Sequence, residues 1–327
     1  MALSSKIPLF SKKQRPIQTV KTLKTKSRRT KLAEFLSEEE GFALSRDGTR
    51  IWYHASGNGL PMVFLNGLGC STFYWKHLHS HFKNKAKVVL LDWRGHGRSQ
   101  APKNPENMTI EHLTNDLLAV LNKLGIKKAV FLGHSMGIQI LFNFYAHHSK
   151  RVMGLVPCFG TFGRAIDNFY NLKNISRPVF EALYLFNHIF PNASRKIGAT
   201  LTKNPFWYQI GGLLKMHNPG LADRQVLREY LDHLTSIDAI LLAKLTRSMG
   251  DYDAEPILKN IKVPTLIFAA DQDQFTPVWL SKKMHRLIPK SEILILKKAT
   301  HVGLIEQPEL LNLRIEKFIT DRLGKRI

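Results

Sequence analysis

From about residue 41 onward the chain alternates short apolar runs with amphipathic stretches of helical spacing. The apolar runs predict strands at Arg50–Ala55, Met62–Asn66, Val88–Asp92, Ala129–Leu132, Val152–Pro157, Thr265–Ala270 and Glu292–Leu296. Several are apolar throughout, the pattern of strands covered by helices on both faces. Between them lie stretches such as Thr109–Leu124. There Ile110, Leu113, Leu117, Val120, Leu121 and Leu124 share one helical face, and Thr109 is placed to cap the first turn. Strand and helix in alternation predict a mostly parallel, doubly wound α/β sheet.

One segment breaks the alternation. Residues 160–255 read as helical with no convincing strand, and ten aromatic side chains fall between Phe162 and Tyr208. A stretch of that size is too long for a connecting loop. It predicts a helical cap inserted into a core formed by residues 41–159 and 256–327. No internal repeat is visible.

Composition changes this picture at one end only. Of 327 residues, 44% are apolar and 22% charged, which is ordinary for a globular chain, but 48 basic against 25 acidic residues leave a net charge of +23. Residues 1–33 hold ten Lys or Arg and no acidic residue, so the rest of the chain carries +13. Residues 1–40 are therefore expected to be a solvated, disordered basic extension. The same composition suits attraction to an anionic membrane or polymer surface, and it suits an organelle transit segment. Phe10 is the sole aromatic residue before position 35, so the aromatic interleaving of a nucleic-acid platform is missing and no nucleic-acid partner is expected.

The longest apolar-looking run, 129–146, is interrupted by His134, Ser135, Gln139 and Asn143, so it does not predict a membrane span. No charged and apolar leader opens the chain. Cys70 and Cys158 stand far apart without a Cys or His cluster, which predicts reduced thiols and no structural zinc. A cytoplasmic protein, or one peripheral to an anionic surface, is the expectation.

The chemistry concentrates at Gly133-His134-Ser135-Met136-Gly137. An apolar strand runs into this turn and an apolar helix, Ile138-Gln139-Ile140-Leu141-Phe142, runs out of it. A serine hydroxyl becomes a nucleophile only where geometry exposes it and a base takes its proton. A strand-turn-helix with small residues around the serine supplies such exposure. Downstream, Asp271 and Asp273 follow the strand Thr265–Ala270, and His301 follows the strand Glu292–Leu296. An acid and a histidine after successive strands converge on the serine from one sheet edge, in the order serine, acid, histidine.

With these motifs, residues 42–323 resemble the α/β-hydrolase family. Phe64-Leu65-Asn66-Gly67-Leu68-Gly69 is similar to the family's oxyanion loop, and Asp92-Trp93-Arg94-Gly95-His96-Gly97-Arg98-Ser99 to its D-x-R-G-x-G-x-S turn. The elbow, the Asp-x-x-Thr-Pro turn and the segment from His301 to Glu306-Gln307-Pro308 follow in order. The resemblance implies Ser135 as nucleophile, His301 as general base and Asp273 as its partner, with Asp271 the competing acid. It implies oxyanion donors in the backbone N–H groups of Leu68 and Met136, and neither metal nor organic cofactor. Family epoxide hydrolases and haloalkane dehalogenases carry aspartate at the elbow, so Ser135 argues against both.

Three positions depart from the family pattern: Asn66 replaces the usual histidine, Ile138 a small residue and Thr300 a glycine. Ile138 is expected to loosen helix-strand packing. Arg94 and His96 are expected to be structural, His134 to point away from the site, and two or three of the ten cap aromatics to reach the pocket. The function expected is hydrolysis of a carboxylic ester with an apolar acyl or alkyl group through an acyl-enzyme, on a small apolar substrate. Lactone or C–C bond hydrolysis, cofactor-free perhydrolysis, and ligand binding with a retained triad use the same residues.

Overall fold

The computed structural model describes residues 38–172, 174–204 and 206–327; residues 1–37 of the basic extension lie outside it. Eight strands form one sheet: β1 Glu38–Leu44, β2 Arg50–Ser56, β3 Pro61–Leu65, β4 Lys87–Leu91, β5 Ala129–His134, β6 Val152–Cys158, β7 Thr265–Ala270 and β8 Ser291–Leu296. Their order is β1-β2-β4-β3-β5-β6-β7-β8. β1 and β2 run antiparallel to their neighbours, and every pairing from β4 to β8 is parallel.

The period-two geometry of a strand sends alternate side chains to opposite faces. Val63, Leu65, Val89 and Leu91 join one buried cluster, while Met62, Phe64, Val88 and Leu90 join the other. Both faces are covered, which is why these strands read as unbroken apolar runs. β1 was not foreseen. It opens Glu-Glu-Glu, and six of its seven residues are exposed or only half-buried, Ala43 being the buried one. Its hold on the sheet is the seven-residue backbone register with β2, which leaves no apolar signature.

The helices are α1 Lys76–Phe82, α2 Ile110–Lys123, α3 Met136–His148, α4 Ser176–Ile189, α5 Pro191–Lys203, α6 Trp207–Leu213, α7 Arg224–Ser236, α8 Ala239–Asp251, α9 Glu255–Leu258, α10 Val278–Leu287, α11 Gly303–Glu306 and α12 Pro308–Leu323. Leu113 and Leu117 of α2, Ile140 and Phe144 of α3, and Met284 of α10 pack on one face of the sheet. Leu78 and Phe82 of α1, with Leu311 and Ile315 of α12, pack on the other. Thr109 caps α2 as expected, its hydroxyl accepting from the His112 N–H at 3.2 Å. The helices α4 to α8 fall between β6 and β7, in the segment expected to be helical.

A buried ion cluster braces the turn after β4. Arg94 is fully buried; its Nε donates to Asp116 of α2 at 2.8 Å and its Nη1 to Asp47 at 2.7 Å. Burial alone would raise the Asp47 carboxyl, but hydrogen bonds from Arg94, Thr49 and Asn107 outweigh it and hold the group well below the usual carboxylate range. Arg94 is thus structural, as expected.

Candidate active site

Ser135 sits where β5 ends and α3 begins, with φ 53° and ψ −117°. A non-glycine residue there is strained by about 1–3 kcal/mol and persists only if its surroundings enforce it. They do so by close packing. A Cβ on Gly137 would lie 2.2 Å from the Leu65 carbonyl oxygen, and one on Gly133 would lie 2.7 Å from that of Gly137. Opposite, Gly160 leaves the space that Ile138 fills: a Cβ there would come within 2.7 Å of Ile138 Cδ1 and 2.8 Å of Ser135 Cα. Ile138 is fully buried, so the looser packing expected of it does not occur.

Three sequence-distant side chains meet at this turn. Ser135 Oγ lies 2.9 Å from His301 Nε2, and His301 Nδ1 lies 3.0 Å from Asp273 Oδ2. A carboxylate only accepts, so Nδ1 carries the proton and Nε2 is left to accept from the serine. Asp273 also accepts from the N–H groups of Phe275 and Thr276 and from the Thr276 hydroxyl, each at 2.8 Å. Its side chain is 1% exposed. Asp271, by contrast, faces Lys297 at 3.9 Å on the surface. The structure brings Asp273, not Asp271, to His301.

Leu68 and Met136 line the same cavity as Ser135. The Met136 N–H opens α3, where no preceding turn can accept it. Asn66 stiffens the loop carrying Leu68 in its own way. Its amide donates to the Leu91 carbonyl at 2.7 Å and accepts from Trp75 Nε1 at 2.8 Å, while Trp93 Nε1 donates to its backbone carbonyl at 3.0 Å.

His134 does not point away, as had been expected. It is buried beneath the site, and its Nε2 donates to the His301 carbonyl at 3.0 Å. Burial and the neighbouring His301 lower its pKa to about 3, so it stays neutral. Its ring lies between Tyr74 and His301, with ring centres 4.8 and 5.2 Å apart. Three further residues support the site: Phe275 and Glu306, which lie within motifs that gave them no role, and His233, which had no sequence signal. Phe275, between Asp273 and Thr276, stacks on the His301 ring at 5.0 Å. Glu306 receives Thr300 N–H at 2.7 Å and its hydroxyl at 2.8 Å, and reaches the Asn218 N–H of the cap at 2.6 Å. Thr300 therefore serves as the anchor of the histidine loop, a role glycine lacks a hydroxyl to fill. His233 of α7 accepts from the Gly97 N–H at 2.9 Å and donates to the Gly69 carbonyl at 2.8 Å, fastening the cap to the oxyanion loop.

Above Ser135 lies a cavity of about 1320 Å³. Its upper wall comes from the cap: Ile175, Val179, Leu183, Leu201 and Leu234 stand beside aromatic rings. Five of the ten cap aromatics reach it (Phe169, Tyr170, Phe180, Trp207 and Tyr208) rather than two or three. Cys70 also borders the cavity, and burial pushes the thiols of Cys70 and Cys158 well above the usual range, so both remain protonated. Among the described residues no group of His, Cys, Asp and Glu is arranged to hold a metal, and no helix is long and apolar enough to cross a membrane.

The profile of the alpha/beta hydrolase fold family matches residues 61–308. Epoxide hydrolase 4 of Mus musculus is 26% identical over 286 residues, covering 84% of this chain and 77% of its own length. A 3-oxoadipate enol-lactonase of Acinetobacter baylyi is 27% identical over 268 residues, covering 78% and 86%. The crystal structure of a bromoperoxidase from Bacillus anthracis superposes with TM-score 0.72 at 18% identity, covering 86% of this chain and all of that one. With the sheet order, the strained serine turn and a family match that runs from β3 into α12, the chain belongs to the α/β-hydrolase fold family.

Proposed function

We propose that the protein is a serine hydrolase that cleaves carboxylic esters with an apolar acyl or alkyl group. The observation that carries this reading is the unbroken Ser135–His301–Asp273 chain, at 2.9 and 3.0 Å, beneath a largely apolar cavity. His301 Nε2 takes the hydroxyl proton as Ser135 Oγ attacks the ester carbonyl. The tetrahedral oxyanion receives the N–H groups of Leu68 and Met136, each such donor contributing about 2.7–4 kcal/mol to lowering the barrier. Collapse expels the alcohol, which takes the proton from Nε2 and leaves Ser135 acylated. Water, deprotonated by the same nitrogen, attacks the acyl carbon, and the acid leaves as Ser135 regains its proton.

The elbow residue separates this reading from epoxide opening. Attack on an epoxide by Ser135 would form an alkyl ether, which has no carbonyl for water to attack, whereas a carboxylate at that position would form a hydrolysable ester. A lactone is an internal ester, so the enol-lactonases among the relatives point to ring opening as the second reading. The test is turnover of p-nitrophenyl esters from acetate to palmitate by wild type and Ser135→Ala. A burst lost in the variant, with an optimum at medium or long chains, is expected. Absence of turnover together with absence of Ser135 labelling by a fluorophosphonate would overturn the proposal.

A further inference from the structure

Among the described residues twenty-one large apolar side chains are exposed, and fifteen of them lie between Phe169 and Leu214. On α4 they are Val179, Leu183, Leu185, Phe186 and Ile189, with Phe190 directly after it; on α5 they are Ile197 and Leu201; and on α6 they are Ile210 and Leu213, with Phe206 directly before it. Val179, Leu183 and Phe186 share one side of α4, with Leu185 and Ile189 about a third of a turn away, and the spacings of three and four on α5 and α6 place each pair on one side of its helix. A stable monomer rarely leaves so much apolar surface together. Six of the fifteen, Phe169, Leu172, Ile175, Val179, Leu183 and Leu201, line the catalytic cavity as well, so the cavity wall and the patch are continuous.

Charge selects the occupant. Residues 174–216 hold five Lys or Arg against Glu181 alone; Arg177 is paired with Asp167 and Asp251, and Lys196 and Lys215 are exposed beside the apolar rows as its basic rim. A second copy docked by a two-fold axis would set this basic rim against itself. The chain's own first 33 residues, with ten basic and no acidic side chains, would do the same. A surface that offers apolar depth under an anionic layer satisfies both features at once. We propose that the α4–α6 face docks on an anionic lipid bilayer, and that apolar substrate enters the cavity from the lipid. The second half rests on the ester-hydrolase reading, whereas the first does not.

Docking is measured by flotation of the full chain carrying Ser135→Ala, so that no turnover intervenes, on phosphatidylcholine vesicles with and without phosphatidylglycerol. Introducing Leu185→Ser, Ile189→Ser, Ile197→Ser and Leu213→Ser changes exposed residues that do not line the cavity. Partitioning is expected to fall at least about tenfold on both vesicle types, since interfacial binding scales with buried apolar area. Lys196→Gln with Lys215→Gln is expected to cost about fivefold per site on the anionic vesicles only. An unchanged melting temperature shows that the variants are folded. Equal partitioning of parent and four-serine variant would overturn docking by this face and leave the basic extension as the attachment. A parent dimer that the four-serine variant converts to a monomer, without a change in flotation, would overturn it in favour of a second copy. Loss of docking by the four-serine variant, with unchanged hydrolysis of dispersed esters when the same four changes are made in the Ser135 protein, supports the proposal, and docking without any ester turnover in the Ser135 protein would overturn only the substrate half.

Discussion

Asp273→Asn tests the most specific residue assignment. An amide in place of the carboxylate presents the wrong hydrogen-bond partner to His301 Nδ1 and cannot balance the imidazolium, so kcat should fall about 10³–10⁴-fold. Asp271→Asn, altering a group that faces Lys297, should leave ester turnover within about twofold, as surface changes do. Steady-state kinetics on one p-nitrophenyl ester reads both. At the same scale, Asp116→Ala strips Arg94 of a fully buried partner while Asp47 remains at its other side. Breaking a buried pair from one end costs about 3–5 kcal/mol, which urea unfolding would register as a lowered midpoint with activity intact in the folded fraction.

Between elements, polar ties add to the close packing that holds the site. Asn66 joins β3 to β4 and to the turn carrying Trp75, so Asn66→Ala would leave the Leu91 carbonyl and the Trp75 N–H without partners. Each costs about 1–3 kcal/mol when buried, and the freed oxyanion loop should lower kcat more than it raises KM. Glu306 ties the histidine loop to Asn218 of the cap, and burial pushes its carboxyl upward against the hydrogen bonds that oppose the shift. Glu306→Gln can keep one acceptor but not both, so His301 should be less well positioned. The expected signature is a slower fluorophosphonate reaction at Ser135 alongside a lower melting temperature. That a Glu five residues after the histidine matters was hinted by its motif, but its bond across to the cap had no trace in the sequence.

For the whole molecule, acid is the condition that should unfold it. Burial lowers the pKa of His79 and His96 to about 4 and that of His134 to about 3. Each is near 6.5 when unfolded, so the unfolded chain binds protons that the folded chain refuses. The stability is therefore complete above pH 6.5 and declines as the pH falls from there toward 4. The slope is about 1.4 kcal/mol per pH unit for each histidine. Asp47, held low in the fold, adds a further loss only below the ordinary carboxylate range. Unfolding midpoints measured between pH 7 and 4.5 should fall steadily, and His96→Gln should flatten the curve by about one proton. A flat profile in wild type would show that these rings are hydrated in solution.

The strands β2 to β8, the amphipathic α2 with its threonine cap, and the strand-turn-helix at Ser135 were legible because each is written in local spacing: period two, period 3.6, and small residues where backbones touch. The order of Ser135, Asp273 and His301 after successive strands was legible for the same reason, since a parallel sheet delivers strand ends to one edge. β1 was not, because an edge strand held by backbone pairing needs no apolar pattern. Local spacing likewise could not choose between Asp271 and Asp273, two residues apart on one turn. It could not turn His134 inward under His301 or show Gly160 making room for Ile138. It also could not seat five cap aromatics on the cavity while leaving the outer faces of α4 to α6 bare. Those outcomes depend on which distant segments share a space and which buried polar groups must find a partner there, and only the folded chain decides that.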